Sequence, residues 1–261
     1  MENIRIEGMR LGRTPKREDP RSLKLESLLP KVIPQPPAAV DVTTGVAQWP
    51  MYANDRLGDC TCAAVGHMLE IWTEQADSSP RILSDDQVIA LYNLVNNGQD
   101  QGANMLDVLH QLRVGAGLAG DNVYAYASVD SRQADLVKAA AWLFTGLYIG
   151  IQMPVSAKHQ TGPGNVWDAA TGPDGRAGSW GGHAVNVVAF DSNGLTVVTW
   201  GALQRMTWGF WNAYVDECWA LIPNDYEHLK GGLQANGFDF AQLQQFLQSV
   251  GPVDQVAGAP Q

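Results

Sequence analysis

The stretch NDRLGDCTCAAVGHMLEIW, residues 54–72, decides the fold, because it joins a polar turn to an apolar helix at a cysteine. Apolar residues recur at helical spacing from Cys60 onward and predict a helix to about residue 76. Asp59 is a candidate N-cap, which places Cys60 in the first helical turn. A thiol there feels the positive end of the helix dipole, so its thiolate is favoured, although the Asp59 carboxylate opposes that effect.

The segments after this helix change from helical to strand patterns along the chain. Ser84 to Gln87 form a capping box that starts a second helix, and a third runs from Met105 to Val114. Residues 122–129 alternate as a strand, residues 131–144 are helical, and residues 147–153 form another strand. A loop at residues 156–182 holds seven glycines, which is typical of a ligand-facing connection.

The last part of the sequence is dominated by strand patterns. HAVNVVAF and LTVVTW flank an Asn-Gly turn and predict a hairpin, followed by a short helix (TWGFWNAY) and a strand (CWALI). We therefore expect an α+β protein, in which helices precede a mostly antiparallel sheet. Three parts are predicted: an extended arm at residues 1–45, a domain at residues 46–222, and an extension at residues 223–261 with one helix at 239–249.

Charge is distributed unevenly along the chain and excludes one class of partner. The net charge is −10, with eight Lys/Arg against six Asp/Glu in residues 1–45 and nine against twenty-one in the remainder. Because nucleic acid binds to basic faces, it is not expected to bind this acidic body. We find neither a signal peptide nor a membrane span, and three cysteines are too few for a disulfide framework. We therefore expect synthesis in the cytoplasm.

His183 is the second candidate for chemistry. It opens the strand HAVNVVAF directly after two glycines, so its ring can project from the end of a sheet beside mobile backbone. Such a position suits a general base, and a cysteine at a helix start with a distant histidine is a known nucleophile–base combination. His67 and His110 lie on predicted helices and are interpreted as packing or surface residues. His159, in the glycine-rich loop, is a remote substitute base.

These motifs together resemble the papain-like cysteine peptidases, including compact bacterial and phage-type members. Gly58 to Cys60 matches the G-x-C motif, Gly182 to Val185 matches G-H-A-V, and Thr199 to Gly201, with a second W-G at residues 208–209, matches the later N-S-W-G region. The resemblance covers roughly residues 48–222. It implies a peptidase or amidase that needs no metal or organic cofactor and acts on a peptide or amide bond.

The resemblance also implies roles for four residues. Cys60 is the nucleophile, His183 the base, and Thr199 the residue that orients the imidazole, although a gap of one would put Val198 there. Asn54 takes the place of the oxyanion glutamine and is one methylene shorter. Trp200, after the orienting residue, is expected to shield the histidine from water or simply to pack in the hairpin.

The sequence departs from the family pattern in ways that favour a second hypothesis. Thr199 orients an imidazole less firmly than Asn does, Asn54 has a shorter reach, and no pro-domain of ordinary size precedes Cys60. The same fold can therefore serve as a non-catalytic binding module, for example a subunit of an assembly such as a virion, with the arm docked on a neighbouring subunit.

Cys62 has two interpretations of its own. In the register above, it points to another side of the helix from Cys60 and is a small buried hydrophobe. A C-x-C metal site is the alternative, but no second Cys/His pair lies nearby at zinc spacing. Walker, H-E-x-x-H and EF-hand signatures do not occur.

Overall fold

Helix α2 (Cys60–Asp77) begins at the cysteine that the sequence predicted and forms the centre of the molecule. The computed structural model describes residues 8–28 and 35–224. Every residue of α2 from Cys60 to Trp72 is buried, so this part of the helix is covered on all sides, by the sheet and by other helices. In the described residues no helix combines the length and apolarity needed to cross a membrane.

In the described residues, five further helices surround α2 or cap the sheet. They are α1 (Leu25–Leu28), α3 (Asp85–Asn96), α4 (Met105–Val114), α5 (Ala134–Leu143) and α6 (Trp208–Tyr214). The predicted capping box is present, since the Ser84 hydroxyl accepts from the Gln87 N–H and the Gln87 side chain accepts from the Ser84 N–H. It satisfies two N–H groups that would otherwise lack acceptors at the start of α3.

The strands form one mixed, mostly antiparallel sheet. They are β1 (Leu23–Lys24), β2 (Val40–Asp41), β3 (Val123–Ser128), β4 (Leu147–Met153), β5 (Val166–Trp167), β6 (Gly181–Phe190), β7 (Gly194–Thr199), β8 (Ala202–Thr207) and β9 (Val215–Pro223). Their order is β1-β3-β9-β4-β6-β7-β8-β5, with β2 paired to β6. Among the described strands, only the end pairs, β1–β3 and β5–β8, are parallel. The predicted α+β layout is confirmed.

The predicted elements agree with the structure over most of the body, and two differences are informative. The glycine-rich loop is not featureless, because it contains two 3₁₀ turns and the short strand β5. Strand β8 has no predicted counterpart, since ALQRMT alternates weakly and lacks a long apolar run. The predicted helix at residues 239–249 lies outside the described residues.

The described part of the N-terminal arm packs on the body of its own chain. Arg13 forms a parallel bridge with Ala103, β1 pairs with β3, and β2 pairs with β6. The arm therefore obtains its backbone hydrogen bonds from the body, which explains an extended conformation in a segment without periodicity.

Candidate active site

Cys60 stands at the first residue of α2, with only 1% of its surface exposed. Asp59 occupies the N-cap position as predicted, but its side chain accepts no capping hydrogen bond. Burial raises the pKa of the Cys60 thiol to about 11, while hydrogen bonds with the backbone of Ala184 and Gly12 act in the opposite direction. Covered in this way, the sulfur is held as the neutral thiol.

His183 lies near the start of β6, where the antiparallel pairing with β7 brings it close to Thr199. Its Nε2 is 2.7 Å from the Thr199 hydroxyl oxygen. Nδ1 is buried, and no hydrogen-bond partner for it occurs in the described residues. The contact with Thr199 thus leaves Nδ1 as the nitrogen that is free for chemistry.

The same small cavity is lined by all four residues that the resemblance singles out: Asn54, Cys60, His183 and Thr199. No hydrogen bond between Cys60 and His183 occurs in the described part of the chain, although catalytic contacts often tighten only when substrate binds. Burial lowers the pKa of His183 to about 3. Thiol and imidazole are therefore both uncharged in this state.

Trp200 covers the imidazole of His183 by stacking on it, with ring centroids 4.3 Å apart and planes 11° from parallel. Trp200 and Gly201 form the two-residue turn between β7 and β8, with φ angles of 44° and 71°. Positive φ at both turn residues matches the twist of a hairpin and is unusual for Trp. The turn thereby aims the indole back over His183 and excludes water from the ring.

Asn54 is present at the cavity, but its side-chain amide is engaged elsewhere. Nδ2 donates to the carbonyl of Leu57 and to the carboxyl of Asp59, both at 3.1 Å. Burial raises the pKa of this Asp59 carboxyl to about 7. The arrangement gives Asn54 a structural task at the helix start, and one of its two hydrogen bonds has to break before it can reach an oxyanion.

The remaining sequence candidates are apolar, are engaged in other contacts, or lie outside the cavity. Val198 lines the cavity with an apolar side chain, so it cannot accept from the imidazole as Thr199 does. Cys62 is buried, and burial raises its pKa well above the usual range. His67 lines the same cavity as Cys60, but its Nε2 lies 2.8 Å from the Pro50 carbonyl; His159 is in a 3₁₀ turn.

The arm packs against residues that line the cavity. The Arg10 N–H donates to the Asn54 carbonyl, and the Trp200 indole donates to the Arg10 carbonyl, both at 3.0 Å. Gly12 then passes so close to Gly58 that an added Cβ on residue 12 would lie 1.7 Å from the Gly58 carbonyl oxygen. Only glycine fits at this point of the arm.

Further along, the arm is fastened by its backbone and by one side chain. The Arg13 N–H donates to the carbonyl of Gly182 at 3.1 Å, and the Ala103 N–H donates to Gly12 at 2.8 Å. The Arg13 guanidinium is fully buried against the Glu217 carboxylate. Sequence reasoning missed these contacts, although an acidic residue beside the apolar run of β9 is a signal that a buried charge needs a partner.

Comparison of the whole chain places this geometry among known folds. The structure is similar to xylellain, a cysteine protease from Xylella fastidiosa, with a TM-score of 0.64 and 15% identity over 83% of this chain and 97% of that one. It is also similar to proCathepsin B S9 from Trypanosoma congolense, with a TM-score of 0.57 and 10% identity over 82% and 87% of the two chains.

A third similar structure is the cysteine protease CMS1MS2 from Carica candamarcensis in complex with E-64, with a TM-score of 0.52 and 14% identity over 72% and 99% of the chains. No protein-family model matches the sequence, and the comparison with curated proteins gives no match. At such low identities the likeness shows the fold, which is that of the papain-like cysteine proteases.

Proposed function

We propose that this chain is a cysteine-dependent hydrolase of peptide or amide bonds, with Cys60 as nucleophile and His183 as general base and acid. The observation that carries the proposal is the hydrogen bond between His183 Nε2 and the Thr199 hydroxyl. It leaves Nδ1 unpaired in the cavity that Cys60 also lines, within the fold of cysteine proteases.

The reaction proceeds through a thioester. As the Cys60 sulfur attacks the substrate carbonyl, the thiol proton passes to Nδ1 of His183, and the imidazolium then donates that proton to the leaving amine. Water next attacks the thioester, again with His183 as base, and releases the acid and the free thiol. Thr199 accepts from Nε2–H throughout, which keeps the ring in one orientation and one tautomer.

Two N–H groups stabilise the negative charge on the substrate oxygen. The backbone N–H of Cys60 is available at once, whereas the side-chain amide of Asn54 must first move. The N–H of Cys60 lies in the first turn of α2, where helical N–H groups lack intrahelical acceptors, so it is available to the oxyanion. Asn54 supplies a second N–H if its amide leaves the Leu57 carbonyl. Each such donor contributes about 10²- to 10³-fold to the rate.

Catalysis requires that the arm first leave the cavity. With Gly12 in place, Cys60 is out of reach of a substrate, and the burial that raises its thiol pKa also removes the thiolate. Displacement of residues 10–14 uncovers Cys60 and weakens the burial that raises the pKa of its thiol. The arm thus controls both the access of substrate to Cys60 and the ionisation of the Cys60 thiol.

The second candidate, a non-catalytic module with this fold, is favoured by one observation. Every described contact of Arg10, Gly12 and Arg13 stabilises a form in which Cys60 is buried and neutral. If the arm never leaves, the protein is a closed scaffold. The contacts of the described arm residues are then made within their own chain.

Peptide cleavage by an arm-release variant tests the proposal. The full-length Arg13→Ala protein is incubated with a mixture of unstructured peptides, and products are identified by mass spectrometry. Cleavage is expected with Arg13→Ala, and it is expected to disappear when Cys60→Ala is added but not when Cys62→Ala is added. Equal cleavage with and without Cys60 would overturn the proposal, as would no cleavage by a variant whose Cys60 is freely alkylated.

A further inference from the structure

A second cavity, of about 290 Å³, lies along α2 beyond Val65 and shares no lining residue with the cavity around Cys60. Three elements supply its apolar lining, namely α2, the loop before β3, and the end of β9: Val65, Leu69, Trp72, Leu118, Val123 and Pro223. A cavity of about 150 Å³ accommodates one benzene molecule. This cavity therefore has room for about two large apolar side chains.

The position of the cavity in the chain favours one occupant. Asn224, directly after β9, lines the cavity, and residues 225–261 continue the sequence from that point. A segment tethered beside a site has a high effective concentration there, on the order of millimolar. Because residues 225–238 span up to about 45 Å when extended, the predicted helix at 239–249 can reach every part of the cavity.

The sequence of that predicted helix matches the apolar lining. On a helical wheel, its large apolar residues fall within about 120° of one another and form a single stripe: Phe240, Leu243, Phe246 and Leu247. Asp239 is the one charged residue from 239 to 249. A short helix of this kind obtains most of its stability by packing its apolar face on another surface.

The cavity also has a polar group that lacks a partner. Trp72 is 6% exposed, and its indole N–H has no hydrogen-bond acceptor in the described residues. A buried donor is costly to leave unsatisfied. Gln242 and Gln244 flank the apolar stripe of the predicted helix, and their amide oxygens are acceptors. The segment thus offers apolar side chains for the lining and an acceptor for the indole.

We propose that residues 239–249 dock in this cavity of their own chain as a helix, with Leu243 at the centre of the face that contacts α2. The carboxylates of Asp77 and Asp121 border the cavity and disfavour an acidic partner, whereas a segment with a single charge is compatible with them. The docked segment covers the part of α2 that lies farthest from Cys60. The inference does not depend on the proposed hydrolase activity.

Chymotrypsin digestion of the full-length chain tests the docking, because this protease cleaves after large apolar residues. Cleavage after Phe240 and Phe246 is followed by mass spectrometry, and each rate is divided by that of a synthetic peptide of residues 225–261 with the same substitution. The wild-type chain should be cleaved at least about tenfold more slowly than its peptide. Leu243→Asp places a charge against the apolar lining and should abolish this protection, whereas Gln245→Asp places it on the opposite side of the predicted helix and should retain the protection.

Substitutions in the cavity show where the segment docks. Ala76→Trp fills the cavity from α2 and should raise the cleavage of the unchanged segment as much as Leu243→Asp does. Asp77→Trp blocks the cavity from an exposed position, which keeps the test available if Ala76→Trp misfolds. In each folded variant, the three buried cysteines should remain unreactive towards iodoacetamide.

Three results would overturn the inference. Cleavage of the wild-type chain as fast as its peptide would mean that the segment is not docked. Protection that survives both tryptophan substitutions would place the segment elsewhere on the protein. Protection that increases with protein concentration, together with a dimer mass in light scattering, would mean that the segment docks on a second copy of the chain.

Discussion

Replacement of Arg13 by alanine should make Cys60 reactive, because this one side chain anchors the arm that covers the thiol. In the docked state the substitution leaves Glu217 buried without its cation, whereas in the released state water reaches the carboxylate. Removal of one partner of a buried ion pair costs about 3–5 kcal/mol. The equilibrium between docked and released arm should shift by that amount.

Alkylation by iodoacetamide measures the shift directly, since only the released form exposes Cys60. At 1.4 kcal/mol per factor of ten, the labelling rate should rise by about 10²- to 4 × 10³-fold, up to the rate of a fully open site. Peptide mapping assigns the label among three cysteines that are all free and buried. Labelling confined to Cys60 shows that the arm has opened and that the body has stayed folded.

Arg17→Ala is the matched control within the same arm. Arg17 pairs with Asp107, but about half of its side chain is exposed, and such surface pairs contribute about 0–1 kcal/mol. Labelling of Cys60 should therefore rise no more than about fivefold. If Arg13→Ala labels no faster than Arg17→Ala, the buried pair does not hold the arm and the reasoning is wrong.

Three further predictions concern the site and its surroundings. Thr199→Ala removes the hydrogen bond to His183 and should lower kcat/KM by up to about tenfold, whereas Thr199→Asn should recover most of the loss; equal rates for all three would contradict an orienting role. Asp59→Asn removes a negative charge that raises the pKa of Cys60, so the pH profile of Cys60 alkylation in the Arg13→Ala background should move to lower pH, and an unchanged profile would count against this coupling. Burial raises the pKa of Glu70 to about 8, so the folded state binds this proton more tightly than the unfolded state does, and the stability it contributes is lost as pH rises from about 4.5 to 8. In urea unfolding, Glu70→Gln should lose less stability than the wild type between pH 5 and 8, and equal losses would refute this assignment.

The parts of the fold that are coded locally were predictable from the sequence. Helix α2 follows from apolar spacing after Cys60, and α3 follows from the capping box at Ser84, because both signals act within a few residues. Strand β8 was missed since Ala202–Thr207 has little apolar alternation and is held in place by pairing with β7. The hairpin partner, not the local sequence, determines that strand.

The candidate site likewise combines features that the neighbouring sequence marks with contacts between residues far apart in the chain. Cys60 and His183 stand out through their neighbours in sequence, and the structure brings them to one cavity. The docking of the arm beside that cavity involves Arg13 and Glu217, which are 204 residues apart. The arm also bonds to backbone groups such as the Gly182 carbonyl, which every residue type offers, so no sequence pattern marks these contacts.

The dependence of Cys60 alkylation on His183 tests the central claim most directly. Full-length Arg13→Ala and Arg13→Ala/His183→Ala are treated briefly with iodoacetamide at pH 6, and the labelled cysteine is identified by intact mass and peptide mapping. A working thiolate–imidazole pair predicts fast, single labelling at Cys60 that slows strongly without His183. If Cys60 in the opened protein reacts at the same rate with and without His183, the two residues do not form an acyl-transfer pair.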